Sequence, residues 1–384
     1  MVNVVLAGGG TAGHTSPLIA TAQALGRHPD VGHLSCIGTP KGLEGRVIPE
    51  AGLELDMIDP VPLPRELTGE LLRVPGHLLR AVRQAGQILS DRQADVLVGF
   101  GGYVSMPAYL AARRAHVPIV IHEQNAVPGL ANKVASRFAC QVATAFPGTG
   151  LRGSRFIGMP LRDAVTSLAL LDPRARAERT RAARVELGLD PELATLLVSG
   201  GSQGAVAIND AVVGARDRLL ADGVQIVHVL GPRNIGTAVP LTDQTTGARW
   251  LPLGYLDDMT LGYAAADLMV ARSGAGTVVE TAALGLPCVY VPLPHGNGEQ
   301  ARNAAPLVAA GAGVQVDNAD LDAERLLAET ARIHDPDALA AMSAAGRGTM
   351  PADAAETLAE IVLGAADRSR TPRPTVQEDS DDPA

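Results

Sequence analysis

Aromatic residues and cysteines are both scarce in this 384-residue chain. Aromatics make up 3% of the residues, and the cysteines, Cys36, Cys140 and Cys288, are odd in number and far apart. No CxxC motif or Cys/His pair is present, so we expect buried thiols in a reducing compartment rather than disulfides or metal ligands. With so few aromatics in a chain that is 46% hydrophobic, the cores must consist mainly of Ala, Val and Leu, which favours parallel α/β layers.

An excess of basic charge and a long apolar run are also missing. The formal net charge is −9 at pH 7, which argues against a nucleic-acid-binding protein because such domains are usually basic. No stretch reaches the roughly 18 apolar residues that span a bilayer. The chain begins MVNVVLAGGG without a basic n-region, so we expect a first strand there and not a secretory signal. These features predict a cytoplasmic protein that is soluble or peripheral to a membrane.

The chain reads as two similar halves, each opened by a strand, a glycine-rich loop and a helix. Residues 2–7 and 195–199 are the apolar runs, and helices are predicted over 17–25 and 205–220. Further strands are predicted at 33–38, 53–58, 95–98, 117–121 and 141–145, and at 225–230, 250–253, 267–271, 288–291 and 314–316. Because strands and helices alternate, we expect two doubly wound parallel sheets.

The length allows two cores, so we divide the chain at the segment that lacks strand signals. The predicted organisation is an N-terminal domain over residues 1–163, a helical linker over 164–194 and a C-terminal domain over 195–365. Residues 366–384 are rich in Pro, Asp and Ser, so we expect a disordered tail.

The first glycine loop matches two phosphate-binding patterns incompletely. Gly8, Gly10 and Gly13 have the spacing G-x-G-x-x-G, whose glycines let the backbone approach a diphosphate at a helix N-terminus. The dinucleotide interpretation also requires an acidic residue at the end of the second strand, where this sequence has Gly38 and Thr39. NAD and FAD are therefore disfavoured.

His14 occupies the position at which a P-loop has its phosphate-gripping lysine. A kinase or NTPase is disfavoured for this reason. Histidine titrates near neutrality, and at the end of a strand over a cleft it can take a proton from an attacking hydroxyl. The alternative is that His14 only caps or packs the loop.

Two further loops have the chemistry of an anion site. GGSQG at 200–204 offers backbone N–H groups and a helix dipole, and SGAGT at 273–277 opens another helix that carries Glu280. A carboxylate there can accept hydrogen bonds from both hydroxyls of a ribose, the alternative being a solvent-facing Glu280. Asp257 and Asp258 follow a strand but lack a third ligand position, so we interpret them as a solvated loop. Together the loops suggest a nucleotide diphosphate bound without an obligatory metal.

Eight motifs occur in order along the chain: GGGTAGHTSP, GFGGYVSMPAYLAA, IHEQNAVPGLANK, GMPLR, VSGGSQGA, YLDDM, RSGAGTVVE and GNGEQARNA. In this order they resemble the MurG family of lipid-linked GlcNAc transferases over roughly residues 1–365. The resemblance implies the GT-B fold, in which two Rossmann-like domains face a central cleft. It also implies an inverting, metal-independent transfer without a cofactor, from UDP-GlcNAc to undecaprenyl-diphosphate-linked MurNAc-pentapeptide, that gives a β-1,4 disaccharide for peptidoglycan.

The resemblance implies roles for individual residues as well. His14 would be the general base. The donor would be contacted by Thr11, Ala12 and Gly13, by Asn125 at the GlcNAc, by Arg162 at the domain seam, by Ser202 at the diphosphate, by Leu256 at the uracil through its backbone, by Glu280 at the ribose and by Gln300 at the sugar hydroxyls.

Residues 71–90 form a basic segment within an acidic protein. They include Arg73, Arg80 and Arg83 and no acidic residue, and Arg113 and Arg114 can extend the patch. One helical face is apolar, which is typical either of a helix packed on its own domain or of a helix on anionic lipid. The apolar positions are Leu78, Val82, Ala85 and Leu89. Because the acceptor implied by the resemblance is held in a bilayer, we expect this patch to meet the cytoplasmic face of the membrane.

Two other functions stay open at this level. One is a different GT-B protein, such as a natural-product glycosyltransferase or a UDP-GlcNAc 2-epimerase. The other is a sensor or scaffold that binds a nucleotide sugar without turnover.

Overall fold

The computed structural model describes residues 1–40, 42–61, 74–295, 297–351 and 353–370. Within this part of the chain the strands form two sheets of seven. The first contains β1 (Val2–Ala7), β2 (Val31–Gly38), β3 (Glu54–Met57), β4 (Val96–Gly99), β5 (Ile119–Glu123), β6 (Gln141–Thr144) and β7 (Ser154–Phe156). The second contains β8 (Thr195–Ser199), β9 (Gln225–Val229), β10 (Leu241–Thr242), β11 (Arg249–Leu253), β12 (Leu268–Ala271), β13 (Cys288–Tyr290) and β14 (Gly313–Gln315).

Helices cover both faces of each sheet. In the first half they are α1 (Ala12–Gly26), α2 (Glu44–Glu50), α3 (Val74–Asp91), α4 (Gly102–Arg114) and α5 (Leu130–Ala135). In the second half they are α6 (Asp163–Ala169), α7 (Pro173–Glu186), α8 (Val206–Ala221), α9 (Met259–Ala265), α10 (Ala275–Leu284), α11 (Glu299–Ala309), α12 (Ala323–Thr330), a 3-10 helix (Ala331–His334), α13 (Pro336–Arg347) and α14 (Ala354–Arg370).

The strand orders are those of doubly wound sheets. The first sheet runs β3-β2-β1-β4-β5-β6-β7, and all its pairs are parallel. The second runs β10-β11-β9-β8-β12-β13-β14 and is parallel except for β10. The inner strands are apolar because helices cover them on both sides; Val4, Val5 and Leu6 of β1 are fully buried. The predicted fold class is confirmed.

Two edge strands were not predicted. Ser154, Arg155 and Phe156 of β7 are all exposed, so their sequence carries no apolar run. The two residues of β10 pair antiparallel with β11 and are also exposed. Edge strands of this kind leave no hydrophobic periodicity, whereas each predicted run overlaps an observed strand.

The last helix differs from the predicted domain boundaries. Leu358 and Val362 of α14 are fully buried and belong to the core beneath the first sheet. Arg27 of α1 pairs with Glu356 at 3.1 Å and with Asp163 at 3.1 Å. The chain thus returns to the N-terminal domain after residue 353, although we expected the C-terminal domain to continue to 365. Residues 366–370, expected in the tail, are helical, and 371–384 lie outside the described residues.

The predicted linker is helical, but it is also part of the C-terminal core. Val165 and Leu168 of α6 and Ala183 of α7 are buried in the hydrophobic cluster that underlies the second sheet. Because α6 and α7 pack on the C-terminal domain, the boundary between the domains lies before α6.

The cysteines follow the prediction in part. Cys36 and Cys288 are buried, but Cys140 is exposed because it lies in the turn before β6. Its thiol donates to the carbonyl of Ile119 at 3.0 Å. Burial raises the pKa of Cys36 to about 12, so that thiol is protonated and unreactive at neutral pH.

No helix in the described part of the chain is long and apolar enough to cross a membrane.

Candidate active site

The two sheets bring the glycine loops to their topological switch points. In the first sheet the strand order reverses between the neighbours β1 and β4: β2 and β3 follow on one side, and β5, β6 and β7 on the other. In the second sheet the order reverses in the same way between β8 and β12. Ligands of open α/β sheets bind at these points, beyond the carboxyl ends of the strands. The loops after β1 and β4 touch: a Cβ on Gly102, whose φ is +80°, would lie 2.6 Å from the carbonyl oxygen of Gly9. Only glycine allows this approach.

His14 lies in the first turn of α1 and faces the loop after β4. Its Nδ1 is 2.9 Å from the Thr11 Oγ1. On the other side of the ring, a Cβ on Gly101 would lie 3.4 Å from Nε2. Burial lowers the pKa of His14, and the charge of Glu44 opposes that shift. When Nδ1–H donates to Thr11, the neutral ring presents a lone pair on Nε2 beside the strand ends.

Glu44 is a site residue that sequence reasoning missed. Its buried carboxylate accepts hydrogen bonds from the backbone N–H of Gly10 at 2.8 Å and of Thr39 at 3.1 Å, and from the Thr39 hydroxyl at 2.8 Å. It fixes the first glycine loop against the end of β2, and its charge raises the pKa of His14 against the effect of burial. The available signal was the acidic residue in the first turn of α2.

A second buried carboxylate organises the loop after β5. Glu123 accepts hydrogen bonds from the backbone N–H of Asn125 at 2.9 Å and of Gly129 at 3.0 Å, and from the Asn132 side chain at 2.9 Å. Asn132 in turn accepts from the Tyr109 hydroxyl at 2.7 Å. Burial raises the pKa of Glu123, and these hydrogen bonds oppose the shift. The network fixes the backbone on which Asn125 is carried.

Asn303 joins this loop to the C-terminal domain. Its Oδ1 accepts from the backbone N–H of Ala126 at 2.8 Å, and its Nδ2 lies 3.4 Å from both the Asn125 Oδ1 and the Ser273 carbonyl oxygen. Asn303 is fully buried. Asn125, predicted to contact the sugar, is therefore at the junction of the domains. Asn303 lies in the GNGEQARNA motif, but nothing in the sequence indicated this bridge.

Glu280 and Arg162, both predicted to bind the donor, lie together. Arg162 Nη2 is 3.6 Å from one Glu280 carboxylate oxygen, and the Tyr263 hydroxyl donates to the other at 2.6 Å. Burial raises the pKa of Tyr263 well above its usual range, so this hydroxyl keeps its proton. The Glu280 side chain is only 15% exposed, which contradicts the solvent-facing alternative.

The other predicted donor contacts lie on loops of the C-terminal domain. Ser202 is exposed in the loop after β8, and Gln300 at the start of α11 accepts from the backbone N–H of Leu293 at 3.0 Å. Leu256 is partly buried and packs towards Gly262. Thr11 and Gly13 are exposed at the start of α1 beside His14, and Ala12 is its first residue.

Asp258 has a structural role. Its carboxylate caps α9 by accepting from the backbone N–H of Thr260 at 2.9 Å and from the hydroxyl of the same residue at 2.6 Å. Asp257 is exposed beside it. Among the residues that the structure describes, no group of three or more His, Cys, Asp or Glu side chains is placed to hold a metal ion.

Twin Rossmann-like domains with glycine loops at both switch points are the arrangement of the GT-B fold. Residues 4–144 match the glycosyltransferase family 28 N-terminal domain, and residues 195–358 match the family 28 C-terminal domain. The chain belongs to the MurG family within this class.

Relatives over nearly the whole chain support this assignment. A Cutibacterium acnes protein named "UDP-N-acetylglucosamine--N-acetylmuramyl-(pentapeptide) pyrophosphoryl-undecaprenol N-acetylglucosamine transferase" is 72% identical over 366 residues, which cover 95% of this chain and 98% of the relative. A Nocardioides protein of the same name is 50% identical over 364 residues, 94% of this chain and 98% of that relative. The crystal structure of Acinetobacter baumannii MurG has a TM-score of 0.74 and 28% identity, covering 95% of this chain and all of that one.

A UDP-N-acetylglucosamine 2-epimerase structure is similar at a TM-score of 0.63 with 12% identity, over 97% of this chain and 98% of that chain. That likeness concerns the fold alone.

Proposed function

We propose that this chain transfers GlcNAc from UDP-GlcNAc to the MurNAc 4-hydroxyl of undecaprenyl-diphosphate-MurNAc-pentapeptide in one inverting displacement. As a member of the MurG family it is a UDP-GlcNAc-dependent transferase of peptidoglycan synthesis. It converts this acceptor, which is called lipid I, to the GlcNAc-bearing product, which is called lipid II. The observation that carries the mechanism is the His14 ring, whose Nε2 faces the loop after β4 at the switch point of the N-terminal domain.

His14 acts as the general base in this proposal. The lone pair on Nε2 takes the proton of the MurNAc 4-hydroxyl while its oxygen attacks the anomeric carbon and the bond to UDP breaks. Thr11 holds Nδ1 and so fixes the ring orientation. Because burial lowers the pKa of His14, the ring is neutral and ready to accept a proton at neutral pH.

The C-terminal domain binds the donor and stabilises the departing UDP. The N-terminus of α8 follows the GGSQG loop that carries Ser202, and the N-terminus of α10 follows the SGAG loop. Oriented N–H groups at these positions stabilise negative charge on a diphosphate. Glu280 accepts hydrogen bonds from the ribose hydroxyls, with Arg162 beside it, while Leu256 meets the uracil through its backbone and Asn125 and Gln300 meet the sugar.

The acid limb of the pH profile tests the coupling between Glu44 and His14. In the wild type, kcat/KM should fall only below the ordinary histidine pKa of about 6.5, because burial lowers the pKa of the base. Replacing Glu44 with Gln removes the charge that raises this pKa and keeps an acceptor oxygen, so the acid limb should move to lower pH. Glu50→Gln, an exposed change on the same helix, should leave it in place. An unchanged limb in Glu44→Gln would contradict the coupling.

The reaction itself is tested by UDP release from UDP-GlcNAc, with and without a lipid-linked MurNAc-pentapeptide analogue. A metal chelator is present in both arms, and the disaccharide product is checked by mass. We expect release that depends on the acceptor. Release without acceptor would instead indicate a hydrolysing epimerase, activity only on a soluble acceptor would indicate a natural-product transferase, and binding without turnover would indicate a sensor.

We also infer that the N-terminal domain docks on the cytoplasmic face of the membrane. A cavity of about 590 Å³ lies between α3 and α4. We call it the α3–α4 groove; it is lined by Pro75, Leu78, Leu79, Val82, Leu110, Arg113, Arg114 and His116. Leu79 is 59% exposed beside these basic side chains. An apolar groove with a basic rim is suited to an anionic lipid surface, on which the polyprenyl-linked acceptor is held.

The predicted basic residues contribute to this surface unequally. The apolar face of α3 is packed on its own domain through Ala81, Ala85 and Leu89, and Leu78 and Val82 of the groove are partly buried against the same core. Arg83 is exposed, whereas Arg80 lies 3.6 Å from Asp59, which offsets part of its charge. Arg73 lies outside the described residues. The packed alternative is therefore correct for the predicted apolar face of α3, and the membrane proposal concerns the exposed side chains beside it, such as Leu79 and Arg83.

Vesicle binding tests the membrane proposal. Reversing Arg80 and Arg83 to Glu should weaken binding to anionic vesicles by about 30-fold or more, since each basic residue near an anionic leaflet contributes roughly 1 kcal/mol. Raising the salt concentration should weaken wild-type binding in the same direction. The double reversal of Arg174 and Arg218 to Glu, at exposed arginines of α7 and α8, changes the net charge by the same amount and serves as the control. Binding that is insensitive both to salt and to the double reversal would refute the patch.

A further inference from the structure

A polar cavity lies away from the cleft, where helix α7 packs on the rest of the C-terminal domain. Its volume is about 440 Å³, which is in the size range of small-molecule sites. We call it the linker cavity. It is lined by Leu171, Pro173, Arg176, Ala177, Thr180, Arg181, Arg184, Pro191, Glu192, Asp267 and Arg347. None of these residues has a role in the proposed reaction.

Two of the arginines in the linker cavity are neutralised by its two carboxylates. Arg181 pairs with Glu192 at 2.8 Å, and Arg184 pairs with Asp267 at 2.7 Å. Arg184 is also buried and donates to the carbonyl oxygens of Ala265 and Pro191, so its role is structural. The net positive charge of the cavity therefore comes from its other two arginines, Arg176 and Arg347.

Arg176 and Arg347 lie side by side without a carboxylate partner among the described residues. The Nη2 atoms of both are within 3.5 Å of the same carbonyl oxygen, that of Leu284 at the end of α10. Burial lowers the pKa of Arg176, and the charge of Arg347 lowers it further. Two like charges at this separation repel each other, and an anion between them would remove the repulsion.

Capping of α10 does not account for both arginines. Gly285 already ends this helix in the left-handed conformation, and its N–H and that of Leu286 bond back into the last turn. Arg176 donates to the Leu168 and Leu284 carbonyl oxygens at 3.1 Å and so ties α7 to the domain. The contact of Arg347 with Leu284 is longer, at 3.5 Å, and its side chain is exposed at the cavity. Arg347 is therefore the arginine whose placement a structural role explains least.

We propose that the linker cavity is a second anion site, which binds the phosphate group of a small ligand between Arg176 and Arg347. The planar guanidinium group binds phosphate oxygens through two parallel N–H donors, and the two groups together offer more donors than the Leu284 oxygen uses. The two carboxylates of the cavity neutralise Arg181 and Arg184. The remaining positive charge of Arg176 and Arg347 favours a dianion.

The experiment measures binding of inorganic phosphate and of glucose 6-phosphate to the full chain by calorimetry. Saturating UDP is present throughout, so that the donor cleft, which also binds phosphates, is occupied. We expect saturable binding that weakens with salt, and Arg347→Gln should weaken it by about tenfold or more because a hydrogen bond to a charged group is lost. Tighter binding of glucose 6-phosphate would identify an organic phosphate as the occupant, and tighter binding of inorganic phosphate would identify the inorganic ion.

Two further variants separate binding from folding. Arg174→Gln changes a 90% exposed arginine on the same helix that does not line the cavity, and it should bind phosphate as the wild type does. Arg176→Lys keeps the charge but loses the forked geometry, and it should also weaken binding. Thermal unfolding of each variant confirms that it is folded. No phosphate binding by the wild type under saturating UDP, or equal binding by wild type and Arg347→Gln, would overturn the proposal.

Discussion

Replacing His14 with Ala is expected to lower kcat by about 10²–10⁴, because a positioned general base contributes about that much to a proton-transfer step. The affinity for UDP should change little, since in the proposed arrangement the diphosphate is bound by loops of the other domain. The measurement is turnover of UDP-GlcNAc with the lipid-linked acceptor, together with UDP binding by calorimetry. The expected split follows from the position of the ring: its Nε2 faces the β4 loop and its Nδ1 is held by Thr11.

One control variant and one variant of intermediate effect accompany this experiment. His334→Ala removes an exposed histidine of the C-terminal domain, and its kcat should equal that of the wild type. Thr11→Val removes the Nδ1 partner but keeps the base, so it should lower kcat by less than His14→Ala does. Wild-type turnover in His14→Ala would reject the assignment.

Replacing Glu280 with Ala is expected to raise KM for UDP-GlcNAc by about 10- to 150-fold, since a hydrogen bond to a charged group is worth roughly 1.5–3 kcal/mol. The physical reason is the position of the carboxylate on α10, the helix that begins at the SGAG loop. Arg162 and Tyr263 contact this carboxylate through its two different oxygens. The effect on kcat should be smaller, because the ribose is remote from the reacting bond.

A donor analogue separates the ribose contact from a general loss of structure. With a 2′,3′-dideoxyuridine donor the wild type should lose about the same 10- to 150-fold that Glu280→Ala loses with the natural donor. Glu280→Ala itself should discriminate little between the two donors, because the interaction is already absent. Equal preference for the natural donor in variant and wild type would show that Glu280 does not bind the ribose. Tyr263→Phe, which removes only the positioning hydroxyl, should give an intermediate KM.

The parts of the site that were predictable from sequence are local ones. A glycine loop between an apolar strand and a helix specifies its own geometry over about ten residues, and the alternation of strands and helices predicts two doubly wound parallel sheets. His14 lies inside such a loop, so its place at the cleft could be anticipated. Glu280 could be placed on the helix opened by SGAGT for the same reason.

The contacts that were missed join distant parts of the chain. Glu44 meets Gly10 across 34 residues, and Asn303 meets Ala126 across 177. No periodicity or spacing encodes such a contact, because it depends on how elements pack after the sheets have formed. The same holds for the exposed edge strands β7 and β10, and for the pairing of Arg162 with Glu280 across the seam.

The return of the last helix to the N-terminal domain matters for anyone who recombines such enzymes. A chimaera that exchanges residues 1–163 alone would combine one protein's sheet with another protein's covering helix, mismatching Leu358 and Val362 against foreign neighbours. The unit that has to be exchanged is discontinuous and includes 354–370. The C-terminal domain is correspondingly an insert within the N-terminal one, and its two ends lie on the side where Arg27 pairs with both Asp163 and Glu356.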